Sequence, residues 1–171
     1  MVAQLRLLAL SIILLLLAGC AQEEMTIIPD AVVGVNTQTI TWPMQYFDNQ
    51  EPGPIYDISL TVPEEWVDAF IIQASPNQLV FEYIVDEDIT ARIFYVEALS
   101  EEQYWAQIGS YPGLIRNIRH TGDTYFIYYV PIYSFYAGLP EEEYEVFTQE
   151  VPSIIRSFDA RVVGPNYFGN Q

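Results

Sequence analysis

The regular part of this chain begins with the stretch Tyr56-Asp57-Ile58-Ser59-Leu60-Thr61-Val62, in which apolar and polar residues alternate strictly. A period of two places every second side chain of a β-strand on the same face. The apolar side chains of that face, which we expect to be buried, are those of Tyr56, Ile58, Leu60 and Val62. Pro63 ends the strand, and the turn that follows it would bring the indole of Trp66 against the strand end.

Further strands and two helices are predicted downstream of this strand. Segments rich in β-prone residues and bounded by turn residues predict strands at Ala69–Gln73, Leu79–Val85, Ala91–Leu99, Leu114–His120 and Thr124–Pro131. Ser100 followed by Gln103 predicts a capped helix, whose buried side would carry Tyr104, Trp105 and Ile108. The order of these elements predicts an α+β fold, with a mainly antiparallel sheet flanked by helices.

A second helix is predicted near the end of the chain. It would begin after Pro140, where three glutamates suit a helix N-terminus. Apolar residues at helical spacing run from Tyr144 to Phe158 and predict one buried side. Because proline removes a helical hydrogen bond, we expect Pro152 to kink this helix or to split it in two.

The first 20 residues have the parts of a secretory signal. Arg6 precedes an apolar run, Leu7–Ala18, of about 12 residues, which is shorter than the ~20 that a spanning helix needs. The motif Leu17-Ala18-Gly19-Cys20 resembles the lipobox of bacterial lipoproteins. The resemblance implies that Cys20 carries diacylglycerol on its sulfur, becomes the first mature residue and receives a further acyl chain such as palmitate. The alternatives are a secreted protein cut nearby, with a free thiol, and an uncleaved membrane anchor.

The signal and the composition divide the chain into four parts. We assign residues 1–19 to a lipoprotein signal peptide and 20–54 to a tether, with a possible edge strand. Residues 55–161 would form a globular α+β domain, and 162–171 a tail. Ala21 stands where aspartate would resemble an inner-membrane retention signal. We therefore expect an extracytoplasmic location, on the outer face of the cytoplasmic membrane or, if present, on the outer membrane.

The charge of the chain is strongly one-sided. It has 6 arginines, no lysine and 23 acidic residues, for a net charge of −17. Such a surface argues against nucleic acid as a partner, because that binding depends on basic residues at phosphates. Anionic headgroups would repel it too, so the membrane would be reached through the N-terminal lipid. The acidity itself suits either solubility or binding of cations or a basic partner.

The folded part also resembles a known family. A strand running into the Pro63–Trp66 turn is paired with Ile154-Ile155-Arg156-Ser157-Phe158 near the end, and an aromatic strand precedes a helix led by Glu-Glu-Tyr. Together these resemble small bacterial lipoproteins with a PsbP-like α/β fold, over about residues 55–160. The resemblance implies a β-sheet sandwiched between helices. Its motifs concern packing, so it implies no functional residue and no photosynthetic role.

An aromatic run is the most unusual feature of the mature chain. It comprises Tyr125-Phe126-Ile127-Tyr128-Tyr129 and continues along the following loop. One set of side chains would enter the core, and the other could line a groove for sugar, peptide or an apolar ligand. Helices on both faces of the sheet would instead bury both sets. The candidate ligand-binding residues are Tyr125, Tyr128, Tyr129, Tyr133 and Tyr136.

Other candidate sites have simpler interpretations. The single histidine, His120, has no histidine or cysteine companion and is read as a solvated residue at a strand end. Asp86-Glu87-Asp88, with Glu82 nearby, is the best cation candidate, but it lacks the spacing of a calcium loop and suits a hairpin tip. With Cys20 acylated, no thiol remains for catalysis, a disulfide or a metal. We expect no cofactor, no metal site and no catalytic residue.

Three functional hypotheses follow from these patterns. The first is a non-enzymatic lipoprotein that acts as a binding or assembly module for an envelope protein or component. The second is a carboxylate-based hydrolase, similar to a glycosidase, with an aromatic-lined cleft. The third is an acidic cation-binding lipoprotein.

Overall fold

The computed structural model describes residues 28–111 and 113–163. The predicted signal peptide, Cys20 and the tail after residue 163 lie outside the described residues. The strands are β1 Ala31–Gly34, β2 Thr39–Met44, β3 Phe47–Asp48, β4 Glu51–Pro52, β5 Tyr56–Thr61, β6 Phe70–Ala74, β7 Gln78–Ile84, β8 Thr90–Ser100, β9 Ile115–Thr121, β10 Thr124–Tyr129 and β11 Asp159–Val162. The helices are α1 Glu101–Ser110 and α2 Glu141–Arg156, with short 3₁₀ turns at Glu64–Trp66 and Ser134–Tyr136.

The architecture is α+β and mainly antiparallel, which confirms the predicted class. Six strands form one sheet in the order β1-β6-β7-β8-β10-β9, and three form a second in the order β11-β5-β2. Neighbouring strands in both sheets run antiparallel. Strands β3 and β4 make a separate two-stranded hairpin.

The alternating strand β5 buries the face that its sequence predicts. Its three apolar side chains, and that of Val62 directly after it, are at most 2% exposed. The indole of Trp66 is fully buried and lies parallel to the ring of Phe70, with centroids 3.9 Å apart. Phe147 of α2 meets the same indole edge-on at 6.1 Å. The turn after β5 therefore packs against the six-stranded sheet and α2 together.

The two faces of the six-stranded sheet are covered differently. One face packs on β5 and α2, and its core includes Phe81, Phe94 and Phe126. The opposite face carries α1, which covers a smaller cluster around Leu99 and Ile127. Because β10 contributes neighbouring residues to both clusters, its side chains alternate between the two layers.

The folded unit includes residues that the sequence assigned to the tether. Within 28–54, β1 pairs with β6 and β2 pairs with β5, and Val35 and Met44 are fully buried. The folded unit therefore includes residues N-terminal to residue 55. The predicted extra strand exists as two strands on two different sheets. Pro43 is tolerated in the second one because β2 is an edge strand with a ladder on one side only.

Two local expectations are corrected by the structure, and one of the two outcomes expected at Pro152 is excluded. Trp105 is 58% exposed. Tyr104 and Ile108, four residues apart, occupy the sheet-facing side of α1, and Trp105 lies on a different side of the helix. Helix α2 is a single element that continues through Pro152, so it is not split. Strand β11, which pairs with β5, was not expected and includes residue 162, which had been assigned to the tail.

Candidate functional site

The aromatic run lies in β10, which divides its side chains between two layers. Phe126 and Tyr128 face the core under β5 and α2. Tyr125 and Tyr129 face the other way, towards α1. The ring of Tyr125 lies between Tyr104, at a centroid distance of 4.2 Å, and His120, at 4.0 Å. Both faces of the Tyr125 ring are therefore covered by neighbouring side chains.

The five candidate tyrosines do not form one site. Tyr129 is half-buried and stacks on Tyr95 at 5.2 Å. Tyr128, on the opposite layer, is 8% exposed, whereas Tyr133 in the loop after β10 is 62% exposed. Tyr136 lies in the 3₁₀ turn, and its side chain is outside the described residues. Tyr128 and Tyr133 line adjoining depressions of a groove that is described below.

The acidic hairpin tip has local partners. The Glu82 carboxylate accepts a hydrogen bond from Thr90 Oγ1 at 2.8 Å and lies 3.8 Å from the Nε atom of Arg92. Asp86 Oδ1 accepts the backbone N–H of Asp88 at 2.9 Å. Across residues 28–111 and 113–163, no three histidine or acidic side chains are grouped so as to hold a metal ion.

A surface groove follows α2 for its whole length. It consists of three adjoining depressions of about 420, 300 and 550 Å³. The first two share Val130–Ile132 and Thr148, and the last two share Tyr128 and Pro152. One wall is α2, and the other is β9 with the loop after β10. A helix of this length spans about 24 Å. We call this feature the α2 groove.

Two residues of α2, Tyr144 and Pro152, shape the α2 groove. The Tyr144 hydroxyl donates a 2.6 Å hydrogen bond to the carbonyl of Pro131, which ties α2 to the opposite wall. Burial there raises the pKa of Tyr144 to about 12. Pro152 has no N–H, so the carbonyl of Thr148, four residues earlier, lacks its usual helical donor. Both residues line the middle of the groove.

The two ends of the groove differ in charge. Glu141 and Glu145 line the end at the start of α2. Arg116, Arg119 and Arg156 line the other two depressions, whose linings contain no aspartate or glutamate. We call this part the arginine end. Half of the 6 arginines of a chain with net charge −17 thus line these two adjoining depressions.

The contacts of these arginines differ from one another. Arg119 Nη1 donates to Asp159 Oδ1 at 2.8 Å, and this carboxylate also pairs with Arg161 at 2.9 Å. The two guanidinium groups, that of Arg119 foremost, hold the pKa of Asp159 below its usual value. Arg116 Nη1 lies 3.5 Å from the Tyr128 hydroxyl. Arg156 is exposed and makes no ion pair within the described part of the chain.

The acidic end does not have the arrangement of a glycosidase. Glu141 and Glu145 are one helical turn apart on α2 and therefore lie on the same wall. Glycoside hydrolysis uses two carboxyl groups that flank the scissile bond from different sides. The groove is therefore better suited to holding a ligand along its length than to this chemistry.

The sequence did not single out the three groove arginines. Arg116 and Arg119 are close in sequence, but Arg156 follows about 40 residues later on another element. The sequence signal that could have pointed to them is the scarcity of basic residues. In a chain with 6 arginines and no lysine, each arginine is a candidate for a specific role.

The remaining comparisons concern membranes and known proteins. No helix of the described residues combines the length and the hydropathy that crossing a membrane would require. In comparisons with known proteins, no family model, no curated protein and no solved structure matches this chain.

Proposed function

We propose that this protein is a lipid-anchored, extracytoplasmic and non-enzymatic binding module that engages an envelope protein or component through the α2 groove. The observation that carries this proposal is the form of the groove. It is open to solvent, about 24 Å long and charged differently at its two ends. Sites for small molecules are usually compact cavities that enclose most of the ligand. A long, polarised groove is better suited to a segment of a macromolecule.

The anchor part of the proposal rests on Cys20 and its lipobox. Acyl chains, with palmitate among them, would hold the protein at the membrane against its own negative charge. The eight Cα–Cα steps from Cys20 to Ile28 span at most about 28 Å. Because Ile28 is already buried in the folded unit, the groove would work close to the membrane surface and not at the end of a long tether.

We also propose that the fold is of the PsbP-like type. The strand that runs into the Pro63–Trp66 turn supports this, as does a six-stranded sheet with a helix on each face. The three-stranded sheet that shares one face with α2 is an addition to the expected sandwich. A determined relative with the same strand order and the same additional sheet would test the assignment.

The anchor is tested by mass spectrometry of the protein isolated from bacterial membranes. We expect the wild-type N-terminal peptide to start at Cys20 and to carry diacylglycerol. Cys20→Ala should keep its signal peptide and carry no lipid. An unmodified cysteine in the wild-type protein would contradict the anchor.

The binding role is tested by site-specific photocrosslinking in intact cells. A photoreactive residue would replace Arg156 in the groove or, as the matched control, Arg92 on β8. Both positions are exposed and both changes remove one positive charge. We expect a discrete crosslinked product from position 156 alone. Equal products from both positions, or turnover of envelope-derived substrates by the purified protein, would contradict the proposal.

A further inference from the structure

We infer that the arginine end of the α2 groove binds an extended, acidic segment of a partner protein, with apolar side chains between its carboxylates. This inference rests on the proposed function. The carboxylates would meet the arginine side chains, and the apolar side chains would pack between α2 and β9.

The charge distribution is the first support. Most of this molecule repels anions, since its net charge is −17. The arginine end is the exception, with three guanidinium groups in the lining and no carboxylate there. Arg119 already forms an ion pair with Asp159, whereas Arg156 makes no ion pair within the described residues. Salt screens exposed charges beyond about 8 Å under physiological conditions, so attraction at this end acts only at close range.

The apolar lining is the second support. Ile118, Ile155 and Phe158 are half-buried and line the same depression as Arg119, Arg156 and the nearly buried Tyr128. A pure polyanion would leave this surface without apolar contacts. A peptide can place apolar side chains on it and carboxylates on the arginines. Burial of the apolar contacts and charge pairing then act together.

The dimensions of the arginine end suit an extended segment. The arginine end runs alongside α2 from Thr148 to Arg156, a distance of about 12 Å. That length matches about four residues of an extended chain.

A second copy of this chain, paired edge to edge, fits less well. Strand β9 is an edge of its sheet, so it could in principle pair with itself. Antiparallel self-pairing would bring Arg116 and Arg119 of two copies together, and like charges across strands are destabilising. The register shift opposite Phe126 and Ile127 also distorts this edge. Charged side chains and bulges are known devices against edge pairing.

The test uses fluorescence anisotropy with full-length protein in neutral detergent micelles. The probe is a labelled eight-residue peptide of alternating glutamate and valine, and empty micelles serve as the blank. Relative to wild type, we expect affinity about 3-fold lower for Arg156→Gln and about 10-fold lower for Arg116→Gln/Arg156→Gln, in line with exposed ion pairs. Arg92→Gln, the charge-matched control, should stay within about 2-fold. Circular dichroism would establish that all variants are folded.

The comparison probes decide the chemistry. Peptides that alternate lysine with valine, or glutamine with valine, should bind at least about 10-fold more weakly. Equal binding by an all-glutamate peptide or by polyphosphate would overturn the inference in favour of a non-peptide polyanion. Equal affinity of Arg156→Gln and Arg92→Gln would overturn the assignment to this groove. Dimerisation that depends on Arg116 and Arg156, without peptide binding, would overturn it in favour of a second copy.

The two proposals fail in different ways. If the peptide does not bind but crosslinking from position 156 still yields a partner, the acidic-segment inference is wrong and the binding function stands. If both experiments give nothing, both proposals are wrong.

Discussion

The guanidinium of Arg119 lies 2.8 Å from the carboxylate of Asp159 and joins β9, at the edge of the six-stranded sheet, to β11 of the three-stranded sheet. The pair lies beside the α2 groove, of which Arg119 is a lining residue. Asp159 also holds Arg161, so one carboxylate orients two of the few arginines. The contact therefore links the arrangement of the two sheets to the charge of the arginine end.

This ion pair predicts an acid-dependent loss of stability. Arg119 and Arg161 lower the pKa of Asp159 from its usual 3.8, so the ionised form stabilises the folded state at and above that pH. The contribution is lost as pH falls through the lowered folded-state pKa. In thermal unfolding from pH 2 to 7, the melting temperature of the wild type should exceed that of Asp159→Asn at neutral pH. The difference should shrink in acid, and a difference independent of pH would refute this origin.

Replacement of Trp66 should be the most destabilising of the changes considered. Its indole is fully buried and stacked on Phe70. Trp66→Ala leaves a large cavity and should cost about 3–5 kcal/mol in urea unfolding followed by circular dichroism. Trp105→Ala, at an exposed position, is the control and should change stability by less than about 0.5 kcal/mol. Similar costs for the two variants would contradict the packing described for the turn after β5.

The cap of α1 should contribute measurably to stability. Ser100 Oγ accepts the backbone N–H of Gln103 at 3.2 Å and donates to Asp48 Oδ2 at 2.6 Å. Ser100→Ala removes both contacts and should cost about 1–2 kcal/mol in chemical unfolding. Ser110→Ala, at the exposed end of the same helix, should have little effect. A cost no larger than that of the control would show that the cap is dispensable.

Glu97 should destabilise the protein at neutral pH. Burial on the α1 face raises its pKa above the usual 4.5, so the folded state favours the protonated form. Stability is therefore lost as pH rises through the raised folded-state pKa. Glu97→Gln should melt at a higher temperature than wild type at pH 7, and the gain should disappear below pH 4.5.

The control for Glu97 removes the same charge from an exposed position. Glu87→Gln at the β7–β8 hairpin reduces the net negative charge equally. If both variants gain the same melting temperature at pH 7, general charge repulsion and not the burial of Glu97 is responsible.

Sequence patterns predicted those elements that depend on residues close to one another in sequence. The alternation around Ile58 requires only that one face of a strand meets the core, and that face is buried. The capping box joins residues three apart, so Ser100 and Gln103 were sufficient to locate the start of α1. The sheet to which β1 and β2 belong was harder to predict, because their partners β6 and β5 lie further along the chain and only the tertiary structure shows that they join different sheets.

The candidate site was less predictable than the fold. The aromatic run drew attention to Tyr125 and Tyr129, which pack under α1 against other rings. A hydrophobic period indicates which residues of a strand share a face, but not which element covers that face. The role proposed for Arg156 depends on its lining the same depression as Arg119, which is distant in sequence.

The sequence by itself determined the α+β class, the buried face of β5 and the capped start of α1, because each depends on residues within a few positions of one another. Only the tertiary structure decided that β2, β5 and β11 form a sheet apart from the six-stranded one, that Tyr125 is stacked between Tyr104 and His120, and that three arginines line adjoining depressions beside α2. These depend on strand order and on the packing of helices against sheets. Such long-range arrangements are set by the free energy of the whole fold and not by local periodicity.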